Sequence, residues 1–320
     1  MIGEQVALIF PGQGSQAVGM GSELASAFPS VRRIFAQADE WLGFSLSQVT
    51  WEGPEETLND TLNTQPALLV HSVAAWTVFQ ELYPGLRPAF VAGHSMGELS
   101  ALVASGALPF RDALLLVRRR GELMKGAGEV SPGGMAAILG LDMSALEEVC
   151  AAASRPGEIV QVANDNCPGQ VVISGAQPAL ERALALAQQA GARRAKALAV
   201  SIAAHSPLMT HAQVDFNTAV ETAPITDPHT PLVGNVSAEP LTTAAQIRAD
   251  LQAQLTSRVR WTESVERMAR QGTRTFIELG SGSVLTGLLK RIDREVVGFS
   301  LGNPADFEKF AAQFSSPAVD

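Results

Sequence analysis

Pro88-Ala89-Phe90-Val91-Ala92-Gly93-His94-Ser95-Met96-Gly97 is the stretch on which the reading of the fold turns. A short apolar run feeds directly into a glycine-flanked serine, and Glu98 to Ala104 then follows a helical pattern. Buried strand, tight turn and helix in immediate succession are the unit from which parallel sheets are built. Val6-Ala7-Leu8-Ile9-Phe10 is a second buried strand, ended by Pro11-Gly12. Gln65 to Leu82 is apolar at helical spacing and long enough for a core helix. Leu232-Val233 and Thr275-Phe276-Ile277-Glu278-Leu279 read as further strands, the latter followed by a helix from Val284. Strands alternating with helices predict an α/β class, with a mainly parallel sheet covered on both faces.

The middle of the chain has another texture. From Gly133 it runs strand (Met135 to Leu139), helix (Met143 to Ala153), strand (Ile159 to Ala163), strand (Gln170 to Ser174), helix (Pro178 to Ala190) and strand (Arg194 to Val200). That βαββαβ order is the ferredoxin-like signature. Residues 1–130 and 201–320 are therefore expected to form a hydrolase-like parallel-sheet core. Residues 131–200 are expected to form an inserted ferredoxin-like small subdomain of about 70 residues. The tail beyond Asn303 shows one short helical stretch and reads as peripheral.

With 320 residues, 46% hydrophobic and 17% charged, the balance is that of a globular enzyme. Polar residues interrupt every apolar run before the roughly 18–20 needed to span a bilayer. Met1-Ile2-Gly3-Glu4-Gln5 carries an acid where a secretory leader has its positive end. The expected setting is cytoplasmic, away from membranes, and the expected state a monomer. A formal net charge of −9 argues against a nucleic-acid partner and leaves an acidic protein partner in need of a local basic patch. Cys150 and Cys167 form no CxxC pair and read as buried or idle thiols. No cluster of His, Cys or acids has metal-ligand spacing.

Gly93-His94-Ser95-Met96-Gly97 fits the GxSxG nucleophile elbow, in which small flanking residues let a serine project from a strand-to-helix turn. An ordinary glycine-rich turn is the competing reading. A serine hydroxyl needs a nearby base. Of five histidines, His94 lies inside the elbow in a packing role, and His71 sits on an apolar helix as a core histidine. His211 and His229 read as surface positions. His205 stands at an element boundary, before the helix-start signal Ser206-Pro207. Asp112, Asp142 and Asp165 fall between Ser95 and His205 but not at an expected sheet edge, so a dyad is favoured over a triad. Pro11-Gly12-Gln13-Gly14-Ser15-Gln16 lacks a phosphate-loop ending. Its small residues could instead bring backbone N–H groups to a reacting oxygen, with the N–H of Met96 as the other half of an oxyanion hole. Arg118-Arg119-Arg120 lies on a helix, where successive residues point about 100° apart, so at most one or two can face a cleft. Arg118 and Arg119 read as solvated; an arginine reaching the serine would clamp a carboxylate.

These pieces together resemble the malonyl-CoA:acyl carrier protein transacylase family across nearly the whole chain. The matching stretches are Phe10 to Gln16, Gly93 to Glu98, Arg120-Gly121, Asn166-Cys167-Pro168-Gly169-Gln170, Val200-Ser201 leading to His205, and Val284-Leu285-Thr286-Gly287-Leu288. The resemblance implies Ser95 as nucleophile and His205 as general base. It implies Gln13 and Met96 as oxyanion donors, Arg120 on the malonyl carboxylate, and Asn166 lining the cleft. It further implies a main-chain carbonyl orienting His205, at the position of Arg260. No bound cofactor is implied; the substrates are malonyl-CoA and phosphopantetheinylated acyl carrier protein, a transient partner. Malonyl would pass through a serine ester to the carrier, supplying extender units for fatty-acid synthesis. The alternatives are an acyltransferase of polyketide synthesis acting in trans, or a thioesterase or hydrolase on the same scaffold. Gly280-Ser281-Gly282-Ser283 departs from the family's common Gly-Pro-Gly-Lys. Ala204 is smaller than the usual residue and leaves room beside the substrate's central carbon. Malonyl is expected over methylmalonyl, one methyl being worth only about 1–3 kcal/mol. For docking, Arg193, Arg194 and Lys196, or Lys290 and Arg291, offer positive contacts or equally a solvated face.

Overall fold

The computed structural model of the chain describes residues 6–314; Met1–Gln5, read above for leader character, and the last six residues lie outside the described residues. Val6–Phe10 (β1) is buried along its whole length, because a central parallel strand has both faces covered. It pairs in parallel with Phe90–Gly93 (β2) on one side and Thr275–Leu279 (the ninth strand, β9) on the other. Leu232–Val233 (β7) and Val297–Leu301 (β10) extend the sheet in parallel, and Pro240–Leu241 (β8) closes one edge antiparallel to β7. The order is β10-β9-β1-β2-β7-β8. Residues Phe10 and Gly93 are register partners, so the loops after β1 and β2 leave the same carboxyl edge side by side. In open α/β sheets, ligands bind at that edge.

A second sheet holds Gly133–Leu139 (β3), Val160–Cys167 (β4), Gln170–Ala176 (β5) and Arg194–Ala197 (β6), all antiparallel, in the order β4-β5-β3-β6. Its helices, Met143–Ala153 (the eighth, α8) and Gln177–Gln189 (α9), cover one face around Leu146, Ile173 and Leu180. Met135, Asn164 and Val172, on the other face, line a cleft together with Ser95. Arg193, Arg194 and Lys196 are exposed at the outer edge, on or beside β6.

Two long helices set the core wall beside the serine. Thr61–Leu82 (α5) is buried nearly all round and contains Pro66. Proline has no N–H, so the carbonyl of Leu62 loses its helical donor. Arg118, on Phe110–Val130 (α7), supplies one at 2.8 Å. Arg118 is thus half-buried and employed, contrary to the solvated role expected of it; Arg119 is exposed. A Cβ at Gly121 would lie 2.9 Å from the carbonyl oxygen of Thr61, so glycine lets α7 close on the start of α5.

The tail also departs from expectation. Pro304–Phe314 (α14) is not peripheral: Phe307 and Phe310 are buried in the main core. The Phe310 ring sits edge-on to Tyr83 at 5.3 Å and to Phe299 at 5.2 Å. A tail rich in polar residues conceals two inward aromatics, spaced three apart on one helical face. Phe310→Ala should lower stability by about 3–5 kcal/mol in urea denaturation. An unchanged midpoint would show that the tail is dispensable.

Candidate active site

The elbow after β2 needs both of its glycines. A Cβ at Gly93 would fall 2.0 Å from the backbone of Gly97, and one at Gly97 would fall 2.3 Å from the carbonyl oxygen of Phe10. Ser95 itself has φ 52°, a left-handed conformation that costs a non-glycine residue roughly 1–3 kcal/mol. Asn235, just beyond β7, clamps the turn: its Oδ1 accepts from Ser95 N–H at 2.7 Å and its Nδ2 donates to the Gly93 carbonyl at 2.7 Å. Gln254 Nε2 donates to the Ser95 carbonyl at 3.1 Å.

His205 reaches the serine across 110 positions of sequence, with Nε2 2.8 Å from Ser95 Oγ. Its other nitrogen, Nδ1, faces two carbonyl oxygens, those of Gln254 at 2.9 Å and Ser257 at 3.2 Å. Two acceptors fix the proton on Nδ1 and leave Nε2 with a lone pair directed at the hydroxyl. Neither candidate acid with a partner takes part. Asp142 caps α8 through Ala145 N–H, and Asp165 accepts from the Thr262 hydroxyl. Arg260 does not orient the histidine as the resemblance implied. It is the residue preceding Trp261–Arg270 (α12), and its carbonyl is occupied by Ser264 N–H and Oγ, both at 2.9 Å. Its side chain turns to Glu263 and away from the cleft.

Arg120 is the only one of the three arginines to reach the serine, and it is buried to 1% exposure. Its Nη2 donates to Ser95 Oγ at 3.1 Å and to Gln254 Oε1 at 2.9 Å, and its Nη1 to Gln65 Oε1 at 2.9 Å. All three acceptors are neutral. Nε has no partner among the described residues. Burial lowers the guanidinium to about 10, still cationic at neutral pH, with Glu98 opposing the shift. Glu98 is buried beneath the elbow, accepting from Asn235 N–H and from Gln254 Nε2; burial and the neighbouring Asp250 hold its carboxyl well above the usual range. Burial first and the Arg120 charge second depress His205 to about 3, against the opposing carbonyls of Gln254 and Ser257.

The loop after β1 packs under the elbow, where a Cβ on Gly12 would meet the His94 carbonyl oxygen at 2.5 Å. Gln13 and Met96 both line the cleft, and among the described residues neither backbone N–H has a protein acceptor. Asn166 lines it from β4, its Oδ1 2.8 Å from His94 Nε2; the His94 ring rests edge-on against Trp261. The cleft runs between the two sheets with a volume of about 860 Å³, far more than a malonyl group fills, and Ala204 lies on its wall. Lys290 and Arg291 lie outside it; Arg291 is tied to Pro168 O and Gln170 Oε1. Both cysteines are buried and free, the Cys150 thiol pushed up to about 12 by burial. Among the described residues no His, Cys, Asp or Glu group could hold a metal, and no helix is long and apolar enough to cross a membrane. His71 is buried with Nε2 on the Gly302 carbonyl, while His211 and His229 are both exposed.

Gln65, Asn235 and Gln254 escaped the sequence reading. Gln65 carried a signal, a polar residue beside proline in an apolar helix; Gln254, at the end of the glutamine-rich Ala244–Gln254 (α11), carried none.

The acyl transferase domain family profile matches residues 7–303. The chain is 45% identical to the malonyl CoA-acyl carrier protein transacylase of Bacillus subtilis over 95% of each. It superposes on the malonyl-CoA:acyl carrier protein transacylase of Xanthomonas oryzae with TM-score 0.94 and 43% identity, covering 98% of this chain and 99% of that one. A structure of a type II PKS acyl-carrier protein in complex with its malonyl-transacylase matches at TM-score 0.92 and 43% identity, covering 98% of this chain and 100% of that one.

An imidazole held at about 3 when folded, against 6.5 unfolded, binds its proton only in the unfolded chain between those values. Its contribution to stability is therefore full above pH 6.5 and is lost as pH falls toward 3. His71, lowered by burial to about 4, acts in the same direction. Labelling of Ser95 by an uncharged fluorophosphonate should accordingly keep its rate down to about pH 5, below the ordinary histidine midpoint. A half-maximal rate near pH 6.5 would contradict the depressed base.

Proposed function

This chain belongs to the acyl transferase domain family, and from that premise we propose that Ser95, His205 and Arg120 carry malonyl from malonyl-CoA to acyl carrier protein, supplying extender units for fatty-acid synthesis. The supporting observation is a buried guanidinium 3.1 Å from a serine that an imidazole can deprotonate. A cation with only neutral partners favours an acyl group ending in a carboxylate, which forms a charge-assisted pair.

His205 Nε2 takes the Ser95 proton as Oγ attacks the thioester carbon. The Gln13 and Met96 N–H groups receive the oxyanion of the tetrahedral intermediate. Its collapse breaks the carbon–sulfur bond, and the proton on His205 passes to the departing CoA sulfur. The phosphopantetheine thiol of the carrier then enters, gives its proton to His205 and attacks the malonyl-serine ester. The second collapse returns that proton to Ser95 and releases malonyl-carrier. Arg120 holds the malonyl carboxylate throughout. Gln65 and Gln254 hold Arg120, so the clamp is in place before substrate arrives.

Incubation with malonyl-CoA should give a malonyl adduct on Ser95 by peptide mass spectrometry, absent in Ser95→Ala; transfer at the normal rate by that variant would refute the nucleophile. Arg120→Ala should cut the malonyl-over-acetyl preference about ten- to hundredfold, the worth of hydrogen bonds to a charged group; an unchanged preference would refute the clamp. A hydrolase reading predicts free malonate as the main product, whereas transfer predicts malonyl-carrier in excess.

A further inference from the structure

The catalytic dyad sits on the main core, yet one hydrogen-bonding side chain from the small sheet reaches the backbone on both sides of it. Gln161 on β4 donates through Nε2 to the carbonyl of His205 at 2.9 Å and to the carbonyl of Thr256 at 3.2 Å. The first of these is the main chain of the base itself. The second lies in the 254–257 segment whose Gln254 and Ser257 carbonyls hold the imidazole from the other side.

We propose that Gln161 is a positioning residue for acyl transfer, holding His205 in its left-handed backbone conformation and its ring against the Gln254 and Ser257 carbonyls. The inference rests on the Ser95–His205 reading above. His205 has φ 59°, an arrangement that persists in a non-glycine residue only where its surroundings enforce it. The peptide that follows must present its carbonyl in one direction, and Gln161 meets it there.

The strand is built for this reach. A bulge between Val162 and Asn164 shifts the register against β5 and puts Gln161 and Asn164 on one face, opposite Ser174 and Val172. Val160 and Val162 pack the opposite way, under α8 and α9. Beyond the bulge, β4 is stitched to the same core segment: Val259 N–H donates to the Ala163 carbonyl at 2.8 Å, and Asp165 N–H to the Val259 carbonyl at 2.9 Å. The edge of the small sheet is therefore continued by the stretch that follows the histidine's carbonyl partners. Gln161 closes this seam at its catalytic end. A shift of the small sheet would move both supports of the imidazole together, and displacement of about 1 Å in a reacting group can cost 10²-fold in rate.

The test is Gln161→Met, which keeps the length but donates nothing, beside Gln161→Glu, which keeps the shape but when ionised replaces both donated bonds with repulsion. Ser95 malonylation is followed by rapid quench and mass spectrometry, with melting temperature recorded for each protein. Both variants should malonylate Ser95 at least about tenfold more slowly, with KM for malonyl-CoA changed by less than about threefold, because Arg120 is untouched. The downfield Nδ1–H proton resonance of His205 should broaden or shift. If the Gln161→Met protein does not fold, Gln161→Glu carries the test, since its side chain is polar at a half-exposed position. A lowered melting temperature with the wild-type malonylation rate and resonance in either folded variant would overturn the proposal, making Gln161 subdomain adhesive only. Ser95→Ala, run alongside, separates the failures: adduct-free transfer there would remove the serine mechanism itself, whereas normal malonylation in the Gln161 variants would remove only the positioning role.

Discussion

The buried charge of Arg120 is the constraint around which the site is arranged. A guanidinium with no carboxylate in contact is costly away from water, and it is tolerated here because Gln65, Gln254 and the Ser95 hydroxyl each accept from it. Those acceptors come from α5, the elbow after β2 and α11, so all three must pack against α7, which carries Arg120, before they can reach it. The same charge favours an alkoxide at Ser95 and disfavours an imidazolium at His205. Under the proposed mechanism, a malonyl carboxylate seated against Arg120 would offset both effects, leaving His205 a stronger base and the alkoxide less favoured.

Gln254 joins these effects in one residue. Its side chain accepts from Arg120 and donates to the Ser95 carbonyl and Glu98, and its own carbonyl takes the Nδ1 proton of His205. A carbonyl can accept that proton bond without adding a full negative charge beside a buried imidazole. It orients the ring while leaving the base weak, unlike the carboxylate of a triad. Two left-handed residues, Ser95 and His205, meet beside this hub: Gln254 Nε2 donates to the Ser95 carbonyl, and the Gln254 and Ser257 carbonyls face the His205 ring.

Much of this was legible from residue order. Val6–Phe10, an uninterrupted apolar run, and Thr275–Leu279, apolar but for Thr275 and Glu278, appear with the limits read from the sequence, and the βαββαβ alternation matches the strands and helices of the second sheet. Ser95 announced itself through two glycines that have no room for a side chain. His205 was found by elimination at an element boundary. The edge strand Val297–Leu301 went unseen because its exposed and half-buried residues blur the apolar run. The docked tail was missed because two buried phenylalanines leave little trace in a polar segment. The carbonyl partners of His205 were misplaced onto Arg260 because any residue has a carbonyl; only the helix beginning at Trp261 shows that this one is spent. Gln254 and Gln161 act through contacts between segments far apart in sequence, which no local pattern encodes.

Whether the buried guanidinium awaits a carboxylate is tested most directly by comparing the melting temperatures of free, acetyl-Ser95 and malonyl-Ser95 protein, each verified by intact mass. The two esters differ at the reacting centre only by the terminal carboxylate. Malonyl-enzyme should melt clearly above both others. Equal melting of the malonyl and acetyl forms would mean that Arg120 does not hold the acyl carboxylate.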